Sequence, residues 1–279
     1  MPELPEIETI RLHLKPIVIG KTIQNIEILE KKQLTGDVSK ATGQNIQKIG
    51  RKGKVLFLEL SNKYYLNFHL KMSGEILFAK NKDKAVYSNE IPRTKTKNLP
   101  NKFTRIIISF SDNSAIFFND MRKFGWIKIS DKPETPIGID ILSKDFTVDL
   151  LTNLINSANK PIKLFLMDQD KLVGIGNIYA NDILWMAKIN PFKKSSLLTG
   201  TQISNLFKSI KIIIAEAIKY KGSSGADEMY VLPNAKKGRY QYHFKTYQRE
   251  GQSCFKCNSI IKRLKQGGRS SFFCPRCQV

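Results

Sequence analysis

All four cysteines of this 279-residue chain lie in its last 26 residues, as Cys254-x-x-Cys257, a spacer of sixteen, and Cys274-x-x-Cys277. Each C-x-x-C makes a tight turn that offers two thiolates to one ion, and two such turns at this separation predict a tetrahedral zinc site. The other reading is a pair of disulfides, which needs an oxidising compartment, and a basic chain with no recognisable secretion signal is not expected to enter one. Four protein thiolates leave the ion no open position for water, so one structural Zn2+ is expected. Within the spacer, 260–264 and 271–273 flank Gln266-Gly267-Gly268 and read as a β-hairpin with Arg269 near its tip. The chain therefore closes on a small metal-stapled module over 250–279.

Charge says what such a module meets. The formal net charge is +22 and the pI about 9.8, which calls for a polyanionic partner. From Met229 to Val279 there are eleven Lys or Arg residues against the single acid Glu250, so the densest basic run coincides with the metal motif. A second basic stretch, 80–105, reads as a solvated face or loop. A membrane surface is the rival partner. The chain has no run of 18 apolar residues, no signal-peptide core and no basic amphipathic helix of the lipid-binding kind. No membrane partner is expected; a soluble, intracellular protein with a polyanionic partner, most often nucleic acid, is.

Hydrophobic periodicity divides the rest. Residues 7–14 read as a helix stopped by Pro16. Short runs of β composition follow at 22–29, 45–49, 55–60, 64–70, 75–78, 105–110, 115–118 and 126–129, a spacing that predicts a sandwich or barrel. Residues 131–136 read as a linker. Helical periodicity then takes over at 149–157, 161–167, 178–188 and 202–220, the last with an apolar stripe from Ile203 to Ile218. Residues 221–249 read mostly as loop. The expected domains are 1–132, 137–249 and 250–279.

The other end carries chemistry. The chain opens Met1-Pro2-Glu3-Leu4-Pro5-Glu6. Removal of Met1 would expose Pro2 as a secondary amine, which can attack an electrophilic sugar carbon and form an iminium. Glu3 and Glu6 supply carboxylates for proton transfer. The plain alternative is a stiffened tail with acids at a helix start.

Five blocks in order bear a resemblance: Met1-Pro2-Glu3-Leu4-Pro5-Glu6-Ile7-Glu8-Thr9, His69-Leu70-Lys71-Met72-Ser73-Gly74, Arg122-Lys123-Phe124-Gly125, Gly174-Ile175-Gly176-Asn177-Ile178-Tyr179-Ala180, and the cysteine set. Over its whole length the chain resembles the formamidopyrimidine-DNA glycosylases and their endonuclease VIII relatives. The resemblance implies an α+β multidomain fold: an N-terminal β-sandwich with flanking helices, a C-terminal helical helix-two-turn-helix domain with a lesion-capping loop, and a β-hairpin zinc finger. It implies a monomer acting on damaged double-stranded DNA in base excision repair, DNA-associated in a cytoplasm of bacterial type.

The resemblance also implies residue roles. Pro2 matches the nucleophile that attacks C1′, releases the base and cleaves the backbone by β,δ-elimination. Glu3 and Glu6 match the active-site carboxylates, and Lys54 a lysine that contacts phosphate near the site. His69 and Asn177 match phosphate-binding positions, and Arg269 the zinc-hairpin arginine. Met72, Arg122 and Phe124 match the residues that the purine-acting branch inserts where a nucleotide has been flipped out. Alone, Lys54 would read as an exposed strand lysine, His69 as a packed one, and Met72 and Phe124 as core. Two positions depart from the family pattern: Met121 stands where a proline is usual, and the capping loop over 222–230 has an uncommon sequence. The expected substrates are oxidised purines such as 8-oxoguanine and formamidopyrimidines. An endonuclease VIII-like enzyme for oxidised pyrimidines, or a zinc-ribbon DNA-binding protein without catalysis, are the alternatives.

Overall fold

Glu3 and Glu6 start the first helix, α1 (Leu4–Val18), by reciprocal capping: each side chain accepts the other residue's backbone N–H. Ile7, Ile10, Leu14 and Val18 recur at helical spacing and are buried. The helix does not stop at Pro16. That proline is exposed in the last turn, where a missing N–H removes only one intrahelical bond. The computed structural model describes residues 1–225 and 230–279. It divides into two units, Met1–Thr135 with Tyr220–Gln241, and Pro136–Lys219 with Tyr242–Val279.

The first unit is built on strands β1 (Ile23–Ile28), β2 (Leu34–Thr35), β3 (Ile46–Lys52), β4 (Val55–Leu60), β5 (Tyr65–His69), β6 (Gly74–Ala79), β7 (Val86–Ile91), β8 (Thr96–Asn98), β9 (Thr104–Phe110), β10 (Ala115–Asp120) and β11 (Trp126–Ser130). One sheet has the order β1-β9-β10-β6 and the other β2-β11-β5-β4-β3. Ile26, Ile108 and Phe118 from the first sheet and Leu58, Phe68 and Ile127 from the second share one core with α1. Of the sandwich or barrel that the strand spacing predicts, this is the sandwich that the resemblance implies.

The run Ile106-Ile107-Ile108 is buried on both faces of β9. Ile106 and Ile108 face the sandwich core, while Ile107 joins Leu77, Phe117, Tyr87, Leu99, Val231 and Ala235 in a second cluster. The basic stretch read as a solvated loop thus contains the β7–β8 hairpin, whose few apolar residues cover the outer face of the sheet. Lysines alternating with Ala85, Tyr87, Ile91 and Leu99 hide that role in composition.

The second unit comprises β12 (Ile139–Asp140), α2 (Val148–Asn156), α3 (Ile162–Leu166), β13 (Leu172–Val173), α4 (Asn177–Ala187), α5 (Gly200–Lys219), and the hairpin β14 (Lys262–Gln266) and β15 (Arg269–Phe273). Ile203, Leu206, Ile210, Ile214 and Ala217 of α5 are buried, as their spacing predicts. Among the described residues, no helix is long and apolar enough to cross a membrane.

Candidate functional site

In the first unit, Pro2 is buried directly ahead of α1, and Glu3 and Glu6 are 3 % and 0 % exposed. Both Glu6 oxygens are fixed by backbone donors. Oε2 accepts from Glu3 N–H at 2.8 Å, and Oε1 accepts from Ser223 N–H at 2.8 Å. The Tyr230 hydroxyl donates to the Glu6 carbonyl at 3.4 Å. Burial and the Glu6 charge hold that phenol well above its ordinary range, so it stays a donor.

Gly222 makes this latch possible: its φ is +75°, and a Cβ there would lie 2.6 Å from Glu6 Oε1. Only glycine accepts both conditions. The sequence marks Gly222 as a loop residue but gives no sign that its loop reaches back to Glu6. The rest of the expected capping loop includes Ala226, Asp227, Glu228 and Met229, which lie outside the described residues. Glu8 has a structural duty, pairing with Arg11 at 2.6 Å and with Arg51 of β3 at 3.1 Å.

Lys54 sits in the turn between β3 and β4 and is only 7 % exposed, not the exposed strand lysine that its sequence suggests in isolation. Val55 pairs with His69 across β4 and β5, which brings Lys54 close enough to act electrostatically on the imidazole. Burial first, then the charges of Lys71 and Lys54, push His69 down to about 3. His69 is therefore neutral at physiological pH. Its Nδ1 accepts from Lys71 N–H at 3.0 Å, so Nε2 carries the proton and is the ring's donor.

This depression has a measurable consequence. The unfolded chain binds the His69 proton from its ordinary value near 6.5, and the folded chain only near 3. Stability is complete above about 6.5 and is lost as pH falls toward 3, by at most about 1.4 kcal/mol per pH unit. Glu75 acts oppositely. Burial, opposed by Arg93, raises its carboxyl to about 7, so its contribution is present below 4.5 and lost as pH rises through 7. Comparison with His69→Gln isolates the histidine. The stability of the parent chain relative to this variant, from urea unfolding, should drop by about 2–3 kcal/mol between pH 7 and pH 4. A difference that does not change with pH would contradict a neutral buried His69.

Met72, half-buried, lies in the turn between β5 and β6; Arg122 and Phe124 are exposed in the loop between β10 and β11. Phe124 is 59 % exposed and so is not core. The Arg122 guanidinium stands 5.9 Å from its ring centroid. Met121 is exposed and leaves the loop closed: Arg122 N–H reaches Ser73 Oγ at 2.9 Å and Asp120 Oδ1 at 3.1 Å. Asp120 is fully buried and also takes Gly125 N–H at 2.7 Å and Gln33 Nε2 at 2.8 Å. Neither Asp120 nor Gln33 stands out in the sequence.

In the second unit, Asn177 is the first residue of α4, after Gly174 (φ +112°) and the N-cap Gly176. Gln169 braces this turn, donating to the Met167 and Ile175 carbonyls at 2.8 Å each and accepting from Gly174 N–H at 3.0 Å. Asn177 Oδ1 is buried with no hydrogen-bond partner among the described residues. One turn along α4, Asn181 Oδ1 accepts from Phe272 N–H at 2.8 Å, tying the helix to β15. Arg269 starts β15 and is exposed at the hairpin tip. Beside it, Lys163 is fully buried and donates from Nζ to Ser270 O at 2.6 Å and to Ser271 Oγ at 2.9 Å. In sequence Lys163 looks like any helix lysine.

The four cysteines are free thiols, which removes the disulfide reading. Their sulfurs lie within 4.8 Å of one another, with Cys254–Cys277 at 3.9 Å and Cys257–Cys274 at 3.4 Å. A tetrahedral zinc with Zn–S bonds of about 2.3 Å needs sulfurs about 3.8 Å apart, so the set fits one ion. Trp185 Nε1–H and Lys256 N–H point at Cys254 Sγ, and Cys277 N–H at Cys274 Sγ, donors that favour thiolates.

Three family models cover these elements in order. They are the formamidopyrimidine-DNA glycosylase N-terminal domain at residues 1–127, its H2TH domain at 137–228, and the zinc finger found in FPG and IleRS at 251–279. A formamidopyrimidine-DNA glycosylase of Chloroflexus aurantiacus is 35% identical over 289 residues, covering 100% of this chain and 98% of its own. The crystal structure of MutM (Fpg) from Thermus thermophilus superposes with a TM-score of 0.86 at 28% identity, over 99% of this chain and 98% of that one. Lactococcus lactis Fpg, solved in complex with a Fapy-dG containing DNA, gives a TM-score of 0.84 at 30% identity over 99% of each chain. With the family matched from the capped N-terminal helix through to the zinc hairpin, this chain belongs to the formamidopyrimidine-DNA glycosylases and is a DNA glycosylase of base excision repair carrying one structural zinc.

Proposed function

We propose that the chain is a bifunctional glycosylase and AP lyase that removes oxidised purines from duplex DNA. The observation that carries this reading is the start of α1, where Pro2 leads directly into two buried carboxylates, one of them held by backbone donors on both oxygens. Once Met1 is removed, the Pro2 amine attacks C1′ of the flipped nucleotide and the C1′–N bond breaks, the base leaving with a proton. The C1′–O4′ bond then breaks as Glu3 gives O4′ a proton and the nitrogen lone pair closes the iminium. The iminium acidifies the C2′ proton, so that successive eliminations release the two phosphates. Glu3 is the proton carrier at the sugar, and Glu6, held on both oxygens by backbone donors, is the second carboxylate beside it.

Lys54 and the Nε2–H of His69 serve as phosphate donors in the first unit, and Asn177 and Arg269 in the second. Met72, Arg122 and Phe124 fill the space vacated by flipping. A planar guanidinium donates two parallel bonds to cytosine O2 and N3, and adenine offers no such acceptor pair. All these groups lie on one chain, which supports a monomer, and cysteines that form no disulfide and fit one zinc suit a reducing cytoplasm.

A panel of lesion duplexes with the opposite base varied tests this. Excision of 8-oxoguanine and formamidopyrimidines should be roughly ten- to a hundred-fold faster opposite cytosine than opposite adenine, the scale of one unpaired buried polar edge. Equal rates would remove this role from Arg122. A preference for oxidised pyrimidines would favour the endonuclease VIII-like alternative.

A further inference from the structure

We propose that Asp120 is a positioning residue for opposite-base recognition: its buried carboxylate locks the Arg122 loop and the Met72 turn into one unit. This rests on the reading of Arg122 given above. Asp120 ends β10 and is fully buried, yet among the described residues no cationic side chain pairs with its carboxylate. Its charge is met by four neutral donors. Oδ1 receives Ser73 Oγ–H and Arg122 N–H, and Oδ2 receives Gly125 N–H and Gln33 Nε2–H. A carboxylate held only by such donors is a strong, directional anchor in a dry site.

The arrangement has two consequences. The loop is gripped at both ends by one group, Arg122 by one oxygen and Gly125 by the other. It is Arg122's backbone that binds the carboxylate, so its guanidinium is not consumed by Asp120 and stays exposed. A side chain at Gly125 would break the closure, since a Cβ would lie 3.0 Å from Asp120 Oδ2 and 2.9 Å from the Phe118 ring. The second consequence is coupling. Ser73, next to Met72, both donates to Asp120 and accepts from Arg122 N–H at 2.9 Å. A shift of the Met72 turn must therefore move the Arg122 backbone.

The test is the ratio of 8-oxoguanine excision opposite cytosine to that opposite adenine, as kcat/KM, in the full chain and in Asp120→Asn and Ser73→Ala. This ratio does not depend on the fraction of molecules folded, so a merely structural role would leave it unchanged. In Asp120→Asn an amide nitrogen must face two of the donors, and the ratio should fall about tenfold, the cost of one charge-assisted bond in a buried site. Ser73→Ala keeps the carboxylate but cuts the link between the loops, and the ratio should fall about threefold. If Asp120→Asn does not fold, Ser73→Ala decides alone. A parent chain that discriminates, with every folded variant retaining the full ratio, overturns the role of Asp120 and leaves that of Arg122 standing. A parent chain that does not discriminate overturns both.

Discussion

A chain that keeps Met1 will yield no borohydride-trapped adduct with abasic DNA, whereas the same chain beginning at Pro2 will be trapped during turnover. The expected loss is about a thousandfold or more in rate, or about 4 kcal/mol at 1.4 kcal/mol per factor of ten. With Met1 attached, the Pro2 nitrogen is an amide whose lone pair is delocalised into the carbonyl, and it is neither basic nor nucleophilic. Freed, it is a secondary amine with a pKa near 8, partly unprotonated at neutral pH. No other residue proposed for the site offers an amine ahead of α1; Lys54 is buried in the turn after β3. An extension that blocks removal of Met1 makes the comparison, with intact mass confirming each terminus. Duplex affinity and melting temperature should match between the two forms. Trapping by the blocked form would show that another group is the nucleophile.

Loss of the metal should be the second large effect. In Cys274→Ser, zinc content should fall to zero and duplex affinity by about a hundredfold. Binding of a structural zinc contributes roughly 10–16 kcal/mol to folding of a small module, more than any single hydrogen bond around it. Lys262, Arg263, Leu264 and Lys265 of β14 are exposed and only Gln266 is buried, donating to the Pro191 carbonyl at 3.1 Å, so the exposed part of β14 depends on its partner strand and on the cysteine turns. β15 keeps its bonds to Asn181 and Lys163 and should stay folded, but the cations of β14 would lose their geometry. Every phosphate that the variant no longer neutralises should reduce the magnitude of the log–log salt slope by about 0.9. Anisotropy titrations across a salt series, with metal content measured in parallel, give both numbers. Unaltered affinity in the metal-free variant would place the hairpin outside the DNA interface.

What the sequence reveals and what it hides divide by range. The cysteines are legible because the spacing of a C-x-x-C already contains the geometry of its turn. Glu3 and Glu6 are legible for the same reason, since a capping pair spans one helical turn. Asp120 is not, because Ser73 and Gln33 are 47 and 87 residues away, and nothing in the local pattern says that this acid faces inward. Ser223 is further still, 217 residues from the Glu6 it binds. Lys163 shows the same limit, a lysine on a short helix whose burial depends on a strand 107 residues later. Pro16 misleads in the opposite sense, since its cost depends on its place in the last turn rather than on its identity. Pairings across such distances exist only once the chain has folded.

The segment Tyr220–Gln241 groups with Met1–Thr135 although α2 through α5 lie between them in the chain. During synthesis the N-terminal sandwich therefore emerges incomplete. Until Tyr220–Gln241 leaves the ribosome, Ile107 and Phe117 lack the cover of Val231 and Ala235, and Glu6 Oε1 has no Ser223 to accept from. A nascent or truncated chain holding only the first 135 residues would carry the amine-bearing terminus with its carboxylate unlatched. The order of synthesis thus withholds the finished surroundings of Glu6 until most of the protein has been made.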